Sequence, residues 1–153
     1  MVLELRPSHN PKNTYGFVGV VVNTSDLSAS IWTWYLEKGE WKIKKPITIP
    51  AQPADAADLP APLKDFGAAP PLITDINLSL DDKFLYVSCW GTGELQQYDV
   101  SDPFSPKLTG VVEIGGVAKK KAHPSGAPAT GGPQMVEISR AVSYTHLTLP
   151  TKA

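Results

Sequence analysis

The chain has 153 residues, 42% of them apolar, with 14 basic and 15 acidic side chains and a formal net charge of -1. That content suffices for one core-bearing soluble domain, and the near-neutral balance excludes a sequence-wide field drawing the chain to nucleic acid or an anionic membrane. No apolar run reaches the roughly 18 to 20 residues of a spanning helix, and the opening MVLELR lacks the basic-then-apolar layout of a signal peptide. A single cysteine, Cys89, excludes an internal disulfide framework. Cytoplasm and periplasm both stay open, because the natural N-terminus is expected upstream of Met1.

In chain order, period-two runs rich in Val, Ile, Tyr, Trp and Thr predict strands at GFVGVVV, SIWTWYL and WKIKKPITI. A proline-rich excursion over 49–71 then interrupts the pattern, since proline removes backbone donors and holds the chain extended. Strands resume at LITDINLS, KFLYVSCW, ELQQYDV and KLTGVVEI, and a second excursion, HPSGAPATGGP, covers 123–133. Between the runs lie turn signals at His9-Asn10-Pro11, Lys38-Gly39-Glu40, Asp81-Asp82 and Gly91-Thr92-Gly93-Glu94. No helix is expected.

The meander repeats itself. Laying LELRPSHNPKNTYGFVGVVV over TDINLSLDDKFLYVSCW places Leu5 on Ile76, Pro7 on Leu78 and Ser8 on Ser79, and in QMVEISR the pair Ile138-Ser139 matches Leu78-Ser79. The copies stand about 71 and about 60 residues apart, long for a propeller blade until the two excursions are subtracted. Each copy is a four-stranded antiparallel unit with two apolar faces, and stacking such units radially covers both. The expected fold is therefore all-β, a β-propeller fragment with blades at 2–48 and 72–115 and the start of a third at 134–140. A β-sandwich is the competing architecture, with shorter connections and no repeated L-S-x-D-D element. Two blades cannot close a ring, so the missing blades are expected elsewhere in a longer polypeptide.

The tail, AVSYTHLTLPTKA over 141–153, breaks the pattern where a blade would turn on Asp-Gly. Its residues from Val142 to Thr151 match a translation of GTC TCT TAT ACA CAT CTG ACG CTG CCG ACG, a sequencing adapter. Ala141 is the expected seam, and His146 is left out of any ligand count. A natural β-rich C-terminus is the alternative.

The motifs L-I-T-D-I, S-L-D-D-x-F-L-Y, L-x-Q-Y-D-V-S-D-P and G-G-P-Q-M, in this order, resemble the selenium-binding protein family, whose members include methanethiol oxidases. LELRPSHNPKNTYGFVGVVV resembles the preceding blade of the same proteins, so the likeness spans residues 2–140. The resemblance implies a seven-bladed propeller. For the enzymes it implies copper-dependent oxidation of methanethiol by oxygen to formaldehyde, hydrogen peroxide and hydrogen sulfide. The family's clustered histidines fall in regions outside this segment.

Copper redox chemistry favours imidazole ligands with an open position. Outside the tail only His9 and His123 offer imidazole. His9 sits in a hairpin turn, which favours a turn or surface role and leaves it a weak metal candidate. His123 lies in a Lys/Pro/Gly loop, and Lys119-Lys120-Lys121 reads as a solvated run. Cys89 shares a strand face with Leu85 and Val87 and has no cation within three residues, which points to a buried inert thiol rather than a selenium or thiol site. Charged residues in a blade's innermost strand cost several kcal/mol if buried dry, so they face water, a site or one another. Glu4, Arg6, Asp75 and Gln134 are accordingly the channel-lining candidates, with an inter-blade ion-pair girdle as the plainer reading. No cofactor is expected to bind this segment tightly. The competing function is a non-catalytic propeller that binds a protein partner or a small molecule, selenium included, through its loops.

Overall fold

In the computed structural model, which describes residues 1–119 and 121–139, the period-two runs become two four-stranded antiparallel sheets. The first sheet runs in the order β1 (Val2–Pro7), β2 (Tyr15–Val20), β3 (Ala29–Glu37) and β4 (Glu40–Ile49). Its tightest turn joins β3 to β4 through Lys38 and Gly39, whose φ angles of 53° and 82° are the paired positive values of a two-residue hairpin turn. The excursion that follows holds a short ribbon, β5 (Gln52–Pro53) with β6 (Ala68–Ala69), around a 3-10 turn at Ala61–Phe66. That turn is the only helical element among the described residues.

The second sheet comprises β7 (Ile73–Leu78), β8 (Phe84–Cys89), β9 (Glu94–Asp99) and β10 (Lys107–Glu113), again paired in chain order. A last ribbon pairs β11 (Lys121–Ala122) with β12 (Pro128–Ala129). The two sheets are copies in detail. Pairing slips between Val2 and Glu4 on β1 and between Ile73 and Asp75 on β7, the same place in the repeat. Such bulges kink a strand and re-aim the side chain beside them. Here those side chains are Glu4 and Asp75.

The sheets pack face to face as successive blades of a β-propeller do, with β7 against β1 and β2. Alternation sends Phe17, Ile31, Ile47 and Ile49 of the first blade and Ile76, Leu78, Leu85, Val87 and Cys89 of the second into one core. At about 1.5 to 3 kcal/mol for each large apolar side chain removed from water, this seam is the main source of stability. Its far end is pinned by the Asp102-Pro103-Phe104 turn: Thr33 Oγ1 donates to the Pro103 carbonyl at 2.9 Å, Lys44 Nζ to that of Phe104 at 3.0 Å, and the Tyr35 and Phe104 rings meet edge to face at 4.8 Å.

Of residues 134–140, expected as the start of a third copy, 134–139 are described and form no backbone ladder among the described residues. They lie along β7 through side chain to backbone bonds: Thr74 Oγ1 to the Gln134 carbonyl at 2.7 Å and Asn77 Nδ2 to the Val136 carbonyl at 3.0 Å. The tail at 141–153 lies outside the described residues.

Candidate functional site

The innermost strands bring three of the four channel candidates together. Arg6 Nη1 donates to Glu4 Oε2 at 2.6 Å and Nη2 to Asp75 Oδ1 at 3.2 Å, so one guanidinium bridges two carboxylates across the blade seam. The other Asp75 oxygen, Oδ2, accepts the Val136 N–H at 2.7 Å. Asp75 is almost wholly buried, whereas Glu4 and Arg6 keep 28% and 30% of their side-chain surface in water. Burial pushes the Asp75 carboxyl above its ordinary range; the Val136 N–H and the Arg6 charge pull the other way without cancelling it. Gln134 joins the cluster through its backbone carbonyl, taken by Thr74. With both Asp75 oxygens occupied, the arrangement orients groups rather than relaying a proton: the carboxylate fixes Arg6 on one side and the 134–136 segment on the other.

At the opposite end of the seam His9 does not stand free. Asp82, in the β7–β8 turn at φ 58°, reaches into the β1–β2 turn of the first blade. Its Oδ1 accepts the His9 N–H at 2.9 Å and lies 3.0 Å from His9 Nδ1, while Oδ2 accepts from Ser8 Oγ at 2.6 Å and the Asn10 N–H at 3.2 Å. Burial pushes the Asp82 carboxyl up, but the bonds from Ser8, His9 and Asn10 outweigh it and hold the group below its ordinary range. In the sequence Asp82 marks only a turn. The alignment of Ser8 with Ser79 was the available hint that the two turns are neighbours.

A buried polar row was missed as well. Glu94, Gln96 and Tyr98 alternate along β9 on the face that should be apolar. Tyr98 Oη donates to Gln96 Oε1 at 2.7 Å, Gln96 Nε2 to Glu94 Oε2 at 2.7 Å, and Gln52 Nε2 of the excursion to Glu94 Oε1. The spacing E-x-Q-x-Y against the apolar face of β8 was its signal. Cys89 sits at the end of β8, fully buried, and burial followed by the nearby Glu94 charge pushes its thiol far up. Its burial is what its strand neighbours Leu85 and Val87 implied.

The sequence pattern of the 56kDa selenium binding protein (SBP56) family matches residues 1–148. The chain belongs to that family. Its curated relatives include proteins named methanethiol oxidase from Pongo abelii and Homo sapiens, each 40% identical over 155 residues, and selenium-binding protein 2 from Mus musculus at 37%. Each of these alignments takes in 90% of this chain and 30% of the relative, so the chain spans under a third of their length. A solved structure, a hypothetical selenium-binding protein from Sulfolobus tokodaii, is 56% identical and superposes with a TM-score of 0.86 over 92% of this chain and 30% of its own. At that identity the likeness establishes the two sheets as blades of the family's fold.

The copper that the family resemblance implies does not fit the residues described here. Among them no group of three His, Cys, Asp or Glu side chains could hold a metal ion. His9 Nδ1 is turned to Asp82, and His123 Nδ1 lies 2.8 Å from Ser125 Oγ in an exposed loop. The Cys89 thiol is sealed in the core. No helix among the described residues is long and apolar enough to cross a membrane.

Proposed function

We propose that this chain contributes two blades to a longer selenium-binding-protein-type enzyme that oxidises methanethiol with oxygen and water to formaldehyde, hydrogen sulfide and hydrogen peroxide. The observation that carries the reading is 40% identity to proteins named methanethiol oxidase over nine tenths of the chain. Copper, in this proposal, is held by residues outside the described segment, and the substrate is a small thiol. The contribution of these two blades is positional. Asp75 ties Arg6 to the segment at Val136, and so sets the wall of the channel on which the innermost strands border.

The test is oxygen uptake with methanethiol by the longer protein containing this segment. Asp75→Ala is expected to lower turnover about tenfold or more through misplaced wall residues, and Cys89→Ser to change it little, since a buried thiol only packs. If Cys89→Ser abolishes turnover with folding and copper content intact, the assignment of that cysteine is wrong. A binding role is the second reading, favoured by the similarity to a protein named for selenium binding. Selenium retention by a longer protein that consumes no oxygen with methanethiol would select it.

A further inference from the structure

At the end of the second blade, residues of the two excursions border an open hollow of about 460 Å³. Its apolar lining includes Leu59 and Pro60 from the first excursion, Trp90 just after β8 and Val117 from the segment after β10; Asp58 and Thr130, the latter from the second excursion, supply its polar groups. The floor is held rigidly. The Trp90 N–H donates to the Leu72 carbonyl at 3.1 Å, the Val117 N–H to that of Gly91 at 2.9 Å, and the Gly132 N–H to that of Trp90 at 3.0 Å. Gly131 packs so close that a Cβ there would stand 3.2 Å from the indole nitrogen. Leu59, only 3% exposed in a segment otherwise largely open to water, anchors the first excursion beside it. The size falls within the range of small-ligand sites, and a preformed floor lowers the ordering cost of binding.

The charge of the lining selects the ligand. Among the described lining residues Asp58 is the one charged group, and Lys119 and Lys121, which precede the second excursion, are turned to Glu113 at 3.7 and 3.0 Å. A carboxylate, an indole and aliphatic side chains lining one hollow complement a compact cation wrapped in hydrocarbon: the aromatic ring can attract the charge, the aliphatic groups take the alkyl substituents, and the carboxylate supplies the counter-charge. We propose that this cavity binds small alkylated onium cations, ammonium or sulfonium, at a site separate from the channel cluster.

Calorimetric titration of the 153-residue protein with choline chloride tests this, with 3,3-dimethylbutan-1-ol as the neutral molecule of the same shape. Saturable choline binding is expected, at least about fivefold tighter than the alcohol, which is the scale of one cation–indole contact. Asp58→Asn, a change at an exposed turn that leaves the fold intact, should weaken choline about fivefold and leave the alcohol unchanged. Trp90→Phe should weaken it further, with circular dichroism to verify folding. Absence of saturable choline binding overturns the proposal, as does equal affinity for the alcohol or an Asp58→Asn protein that binds choline like the wild type.

Discussion

Asp75 and Asp82 belong to the same blade, stand seven residues apart and both reach across one seam, yet their carboxyl groups are displaced in opposite directions. Asp82, at the water-exposed end, collects a hydroxyl, two backbone N–H groups and an imidazole within 3.2 Å. Asp75, between the innermost strands, has a guanidinium shared with Glu4 and the Val136 N–H, in a site with 2% of its side chain in water. More donors and less burial favour the charged form at Asp82; fewer donors, more burial and a second carboxylate disfavour it at Asp75. Identity of residue type therefore says little about a carboxylate's role at a propeller seam. The count of donors against the depth of burial decides it.

The comparison is broken most severely by removing the deeper group. Asp75→Ala leaves the Val136 N–H and part of Arg6 without partners in a buried site, and urea unfolding should register a loss of about 3 kcal/mol. Asp82→Asn retains a residue that tolerates positive φ but loses the charge, so the same measurement should show only about 1 to 2 kcal/mol. An equal or larger loss at Asp82 would invert the ranking.

Acidity sharpens the contrast further. The folded-state carboxyl of Asp82 is depressed, so its contribution is fully present above the unfolded value of about 3.9 and is lost as pH falls through the folded one. The stability gap between wild type and Asp82→Asn should therefore close in acid. Asp75 is raised, so the folded chain takes up its proton first, and wild type loses stability as pH rises from about 3.9 through the raised value. Relative to Asp75→Asn, wild type should gain stability as pH falls. Urea midpoints across the acid range check both slopes, and parallel slopes would refute the opposite tuning.

The strands were legible because each run alternates on a half-buried sheet, where side-chain period and backbone period coincide. The hairpin at Lys38-Gly39 was visible through Gly39, which takes its positive φ at no steric cost, although Lys38 is not a residue that favours the left-handed region it occupies. Even the bulges left a trace: aligning Leu5 with Ile76 puts Glu4 on Asp75, the residues at which both innermost strands slip register. What lay beyond reach was partnership over long separations. Nothing local to Asp82 says that its carboxylate is received by residues 73 positions earlier, or that Gln52 closes on Glu94. Polar side chains on β9 contradict an apolar face until the donors that satisfy them are seen. The sequence singled out Glu4, Arg6 and Asp75 as charges on innermost strands, and in the structure they converge as an ion-pair cluster across the seam; what the convergence binds follows from no periodicity.

The smallest expected effect is an absence, and it returns to the Asp82 end of the seam. A copper centre needs several soft or borderline donors converging at bonding distance. Here His9 is spent on Asp82, His123 lies in a separate exposed loop, and Cys89 is sealed beside Glu94. The purified 153-residue chain, with His146→Gln to remove the imidazole of the tail, should thus bind copper too weakly to resist free glycine and should oxidise methanethiol no faster than the metal alone. Asp82→Ala frees the His9 imidazole and should raise copper affinity only slightly, because one released ligand has no second donor to complete a chelate. Tight stoichiometric copper in either protein, read by equilibrium dialysis against glycine, would place the metal's ligands within these two blades and overturn the positional role argued for them.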